Sequence, residues 1–133
     1  MKVVFDTNVL VSAFVAEGLC SVLLRRASQK EFFLIVCPKL LDEFKRVLSK
    51  KLKVPHALIE KAVQLILEIS QLIEPTVSIQ PVCRHQDDNE ILACAVSAKA
   101  DYLVSGDNDL LEIRCFSGVK IISPREFESL FED

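Results

Sequence analysis

Tryptophan is absent from the 133 residues, tyrosine and methionine occur once each, and histidine occurs twice. With only His56 and His85 available, and no two cysteines in a CxxC pair, the sequence argues against a structural zinc site. The five cysteines (Cys20, Cys37, Cys83, Cys94, Cys115) are odd in number, and most sit in apolar runs. They read as reduced core residues of a cytoplasmic protein rather than as a disulfide framework. No apolar run is long enough to span a bilayer. The first residues, one Lys and then a strand-like run ending in an acid, do not read as a signal peptide. Internal repeats, low-complexity segments and long Gly/Ser/Pro linkers are missing as well. So is an excess of either charge: 16 basic against 19 acidic residues leave a net charge of -3, which argues against simple polycation-style binding.

What is present is a chain half hydrophobic and about a quarter charged, the composition of a compact globular protein. Its length predicts a single domain over residues 1–133, burying about two-thirds of its unfolded surface. Strands are expected at 2–6 (KVVFD), 32–37 (FFLIVC), 101–105 (DYLVS) and 118–123 (GVKIIS), with an edge strand open over 73–80, a segment punctuated by Pro75 and Pro81. Helices are expected after Thr7–Asn8, over 17–30, from Pro38 to about 51, over 56–72 and 88–99, and over 124–131 behind Pro124, with a turn or short helix at 107–112. Strands apolar on both faces, alternating with helices, predict a mainly parallel sheet of four or five strands covered on both sides: an α/β/α architecture.

Sites in such sheets form beyond the carboxyl ends of the strands. Asp6 lies at one such end, and Ser105 and Asp107 at another. Asp6 has a second reading as a turn or cap residue, a role open to Thr7 and Asn8 too. In PKLLDEFKRVL (38–48), Leu40, Leu41, Phe44, Val47 and Leu48 form one helical stripe. Glu43 flanks that stripe and can lean over the rim, whereas Asp42 points nearly opposite, toward solvent. In RHQDDNEILACAVSAKADYLVSGDNDLL (84–111), Asp87 and Asp88 open a helix, and Asp87 with Glu90 has capping-box spacing. Asp107, Asn108 and Asp109 follow Gly106 and suit a turn. Together, Asp6, Glu43, Asp88 and Asp107 fall at element ends that this architecture gathers on one side. Clustered carboxylates repel one another unless a cation intervenes. An oxygen-only donor set suits Mg²⁺ or Mn²⁺, ions that commonly serve phosphoryl chemistry.

Four features in order carry a family resemblance: VVFDTNVLVSAF at the start, an acid in the helix after the second strand, DDNEILACAVSAKADYLVSGDNDLL, and VKIISPREF. Together they resemble a PIN domain, and more narrowly the PIN-family toxin components of bacterial toxin–antitoxin systems, over nearly the whole chain. The resemblance implies a metal-dependent ribonuclease with an α/β/α fold. Asp6, Glu43, Asp88 and Asp107 match the family's acids, and Thr7, Asn8, Ser105 and Asp109 its supporting polar residues. Asp87 and Asn89 lie in the acid-rich approach to the helix, as capping or outer groups. His85–Gln86 departs from the Asp–Pro often found there, and His85 is given no role. The implied reaction is hydrolysis of an RNA phosphodiester with one or two Mg²⁺ or Mn²⁺ ions. Asp6, Asp88 and Asp107 would be ligands; Glu43 would be a ligand or would orient the attacking water. A homodimer and an antitoxin partner are implied too, the helix over 56–72 offering an apolar face.

Basic residues at 44–53 (FKRVLSKKLK), together with Arg25, Arg26 and Lys30, are the candidates for attracting a phosphate chain, although those at 45–53 do not form one stripe. The non-enzymatic alternative is a catalytically silent PIN-fold interaction module, which loss of the acids would betray; all four are kept. A phosphoacceptor domain would need an acid ending a middle strand and a Lys ending the last one, but Lys120 falls near that strand's start. A haloacid-type phosphatase would need an acid at the position held by Asn8.

Overall fold

The computed structural model describes residues 1–77 and 86–131, with the backbone but not the side chains of Gln86 and Asp87. The element order is β1 (Lys2–Phe5), α1 (Thr7–Val15), α2 (Leu19–Ser28), β2 (Phe33–Val36), α3 (Pro38–Arg46), α4 (His56–Ile69), β3 (Ser70–Leu72), α5 (Gln86–Ser97), β4 (Tyr102–Val104), α6 (Asn108–Leu111), β5 (Cys115–Phe116), β6 (Val119–Ile122) and α7 (Pro124–Ser129). A π-helical turn, Val47–Lys51, continues α3. The strands form one sheet in the order β3-β2-β1-β4-β6-β5, parallel throughout except for the β5–β6 hairpin. Helices flank the sheet in an α/β/α arrangement: α2 packs on α1 and α7, and α3 packs on α1, α4 and α5.

The apolar strand runs behave as expected. Val3, Val4 and Phe5, then Leu34, Ile35 and Val36, are buried, so these strands are covered on both faces. Phe33 differs: it opens β2 with its ring mostly exposed. Phe127 of α7 is fully buried and meets four aromatic rings, those of Phe32, Phe131, Tyr102 and Phe5, at centroid distances of 5.0, 5.3, 5.9 and 6.3 Å. Ser123 and Glu126 form the capping box that starts this helix, with Pro124 in its first turn.

Three expectations change. The sheet has six strands rather than four or five, because Ser117 (φ 48°) and Gly118 (φ 86°) make a two-residue turn that folds β5 back on β6. The helix expected to reach 72 stops at Ile69, and β3 precedes the 73–80 segment instead of lying in it. Pairing of Ser70–Leu72 with Leu34–Val36 supplies backbone hydrogen bonds that outweigh the helical spacing. The part of that segment from residue 78 on, with Cys83 and His85, lies outside the described residues. Finally, the cysteines are not all core residues. Cys37 and Cys94 are fully buried, but Cys20 is half-buried and Cys115 exposed on a sheet edge.

Candidate active site

The chain leaves β1 for β2 and β3 on one side and later places β4 on the other, so the strand order reverses about β1. In an open parallel sheet, the crevice beyond the carboxyl ends at such a reversal is where ligands bind. Phe5 pairs with Val104, and the ladder runs one step further, with the Asp6 amide donating to the Val104 carbonyl (3.0 Å) and the Ser105 amide to that of Ile122 (3.0 Å). Asp6 and Ser105 therefore emerge side by side, 99 positions apart in sequence.

Asp6 is 4% exposed, and both carboxylate oxygens are used. Oδ1 accepts the Val9 amide (2.9 Å), which makes Asp6 itself the N-cap of α1; Thr7 and Asn8 do not take that role. Oδ2 accepts the Ser105 hydroxyl. The capping reading of Asp6 is thus met by one oxygen, while the other is held by Ser105. Burial pushes the Asp6 carboxyl above the usual carboxylate range and the Asp107 charge adds to the rise, while Ser105 and the Val9 and Gly106 amides oppose it. Ser105, fully buried, also accepts the Asp107 amide (2.9 Å), and Asp107 caps α6 by accepting the Asp109 amide (2.9 Å). Asp6, Ser105, Asp107 and Asp109 are one hydrogen-bonded chain.

A second chain starts at the next residue. The Thr7 hydroxyl donates to Glu43 Oε2 (2.7 Å). Glu43 is buried and Asp42 exposed, as the helical geometry requires of the two neighbours. On its other oxygen Glu43 faces the Lys39 ammonium (Oε1–Nζ 3.8 Å), and Lys39 reaches across to Glu90 Oε2 on α5 (3.5 Å). Asp88 and buried Asn89 lie in the first turn of α5, so the helix that carries Glu90 carries them too. The Asp87 side chain is outside the described residues, and Asn8 is exposed, apart from both chains. Lys39 and Glu90 escape sequence reasoning as site neighbours. The i,i+4 spacing of Lys39 and Glu43 is the one signal for the first, and only packing of α3 on α5 reveals the second.

Not every expected cation faces outward for a ligand. Arg26 pairs with Glu128 (2.6 and 2.9 Å) and Glu31 (2.9 Å) and stacks on the Phe131 ring (4.6 Å), so it ties α2 to α7. Its hydrogen bonds, and secondarily its charge, hold the Glu128 carboxyl below the usual range. Lys45, Lys50, Lys51 and Lys53 are exposed. An open groove of about 490 Å³ is lined by Ser12, Leu19, Cys20, Ser123 and Arg125 among others; none of the candidate acids lines it. Burial and the nearby Asp6 charge push the Cys20 thiol up.

Among the described residues, no three His, Cys, Asp or Glu side chains converge closely enough to cage an ion. The donors nevertheless suit a hard divalent cation in kind. They are carboxylate oxygens, and the most buried, Asp6, is one whose ionisation a cation would relieve.

Ser105→Ala is expected to cost about 1–3 kcal/mol in denaturant unfolding, because it leaves the Asp107 amide and a buried Asp6 oxygen without the hydroxyl they share.

The fold points to a class, and the family model described as PIN domain matches residues 2–109, a span holding Asp6, Glu43, Asp88 and Asp107. The chain belongs to the PIN-domain family. It is 30% identical over 145 residues to an uncharacterized protein, MJ1680, of Methanocaldococcus jannaschii, the match covering 99% of this chain and 92% of that protein. Its fold is similar to a chain in the crystal structure of VapBC2 from Rickettsia felis bound to a DNA fragment from their promoter. There the TM-score is 0.65 at 15% identity, over 92% of this chain and 98% of that one.

Proposed function

We propose that this protein is a metal-dependent ribonuclease that hydrolyses RNA phosphodiester bonds, and that it acts in the cytoplasm as the toxin of a toxin–antitoxin pair. The observation that carries the reading is the meeting of Asp6 with Ser105 and Asp107 at adjacent strand ends, with Glu43 brought to the residue next to Asp6 by its bond to Thr7. Asp6, Asp88, Asp107 and Glu43 would hold Mg²⁺ or Mn²⁺. When bound, a divalent ion supplies a more acidic water and positive charge against the phosphate. Ser105 and the α1 amide at Val9 orient the Asp6 carboxylate, and Thr7 orients that of Glu43. Membership of the PIN-domain family supports the nuclease reading; the toxin role, an antitoxin partner and a homodimer are carried by the sequence resemblance alone. No single helix among the described residues is long and apolar enough to cross a membrane.

The second reading is a catalytically silent PIN-fold interaction module. What favours it is the lack, among the described residues, of three converging metal-binding side chains. One experiment separates the two. Purified protein is incubated with a labelled mixed RNA pool and Mn²⁺ or Mg²⁺, with EDTA and the Asp6→Asn/Asp88→Asn double variant as controls. Cleavage that needs the metal and disappears in the double variant is the expected result. Equal inertness of both proteins, with no metal bound, supports the interaction module instead.

A further inference from the structure

Lys39 occupies a position that its own helix disfavours. It lies in the first turn of α3, where the helix dipole presents its positive end and a cation is repelled. It also precedes Glu43 by four residues, the less favourable order for a Lys–Glu pair on a helix. Local energetics therefore give no reason for a lysine here, and the tertiary structure does. Its ammonium stands 3.8 Å from Glu43 Oε1 and 3.5 Å from Glu90 Oε2, joining α3 to α5, the helix that also carries Asp88. Glu43 is nearly closed to solvent (8%), while Lys39 (36%) and Glu90 (41%) are partly open, so the pair is shielded on the Glu43 side and reachable from solvent on the other.

We propose that Lys39 is a positioning residue and the resident counter-cation of Glu43 and Glu90: it balances the two across the α3–α5 contact, and its charge opposes the entry of a divalent ion at Glu43. This rests on the metal-dependent reading above. Lys39 sets how much free metal the site requires, because an ion approaching Glu43 meets a positive charge already in place. The charge, not the length of the side chain, is what matters, so arginine should substitute for lysine and methionine should not.

The test is Mn²⁺ binding by isothermal titration to the full-length protein, comparing wild type, Lys39→Met and Lys39→Arg. Removing a charge from a partly solvated position next to a ligand should tighten Mn²⁺ binding about three-fold or more at low salt, and the gain should shrink as salt is raised. Lys39→Arg should bind as wild type does. Lys39→Met should also melt at a lower temperature than wild type in EDTA, with the deficit closing when Mn²⁺ saturates the protein. Equal or weaker Mn²⁺ binding by Lys39→Met overturns the role of Lys39 and leaves the nuclease reading standing. Failure of the wild type to bind Mn²⁺ at all overturns both.

Discussion

Asp6→Asn is expected to lower metal-dependent RNA cleavage by more than about 100-fold while raising the melting temperature of the metal-free protein at neutral pH. The two effects share one cause. Asp6 is a buried carboxylate held at the end of β1, where the proposed site lies, and its ionisation in the folded chain is opposed by burial and by the charge of Asp107. Asparagine keeps the N-cap, since its side-chain oxygen can still accept the Val9 amide, and asparagine and aspartate are comparable caps. What it removes is the charge, which is what a cation needs and what the metal-free fold resists.

The direction with pH follows from the raised carboxyl. Well below about pH 3.9, Asp6 is neutral in the folded and unfolded chains alike and imposes no penalty. As pH rises, the unfolded chain releases its proton first, and the folded chain becomes progressively less stable relative to it until the pH passes the raised folded pKa. Beyond that point the penalty is constant. Melting curves of wild type and Asp6→Asn in EDTA across this range should therefore converge in acid and diverge toward neutrality, with the variant the more stable. A wild type that gains stability on Asp6→Asn as pH rises would contradict the burial account of this residue.

Phe127→Ala is expected to be the most destabilising single change in the molecule, at about 3–5 kcal/mol in denaturant unfolding. Phe127 is fully buried, and its ring is shared by Phe5 of β1, Phe32 just before β2, Tyr102 of β4 and Phe131 after α7. Truncation leaves a cavity among rings that edge-to-face contacts now hold. Domains of this kind are stable by only about 5–15 kcal/mol, so the loss is a large share of the whole. Because Phe5 immediately precedes Asp6, the cavity opens under the strand end that carries Asp6. Loss of less than about 1 kcal/mol would mean that α7 is not the lid of this core.

Much of this was legible along the chain. The strands were visible because residues apolar on both faces have nowhere to go but between helices, and Val3–Phe5 and Leu34–Val36 are so placed. The helix starts at Pro38 and Pro124 were visible because proline suits a first turn. The split between Glu43 and Asp42 was visible because successive helical residues point about 100° apart. Asp6 stood out as an acid ending an apolar run.

Other features resisted. Residues 70–72 keep helical spacing with the residues before them, yet they pair with β2, and a helix and a strand compete there on terms that β2 decides. The β5 hairpin rests on two residues with positive φ, Ser117 and Gly118, only one of which advertises that conformation. Arg26 reads as a cation free to meet RNA, until Glu128, 102 residues away, is found beside it.

The sequence by itself determined the class of fold, the family, and the acids worth testing, because periodicity, caps and strand ends are set by neighbours within a turn or two. The tertiary structure alone decided that Ser105 holds Asp6, that Thr7 holds Glu43, and that Lys39 stands between Glu43 and Glu90. Those contacts depend on which strands lie side by side, in what register, and on which helices pack together. Residues far apart in the chain carry no local mark of the partner that folding will give them.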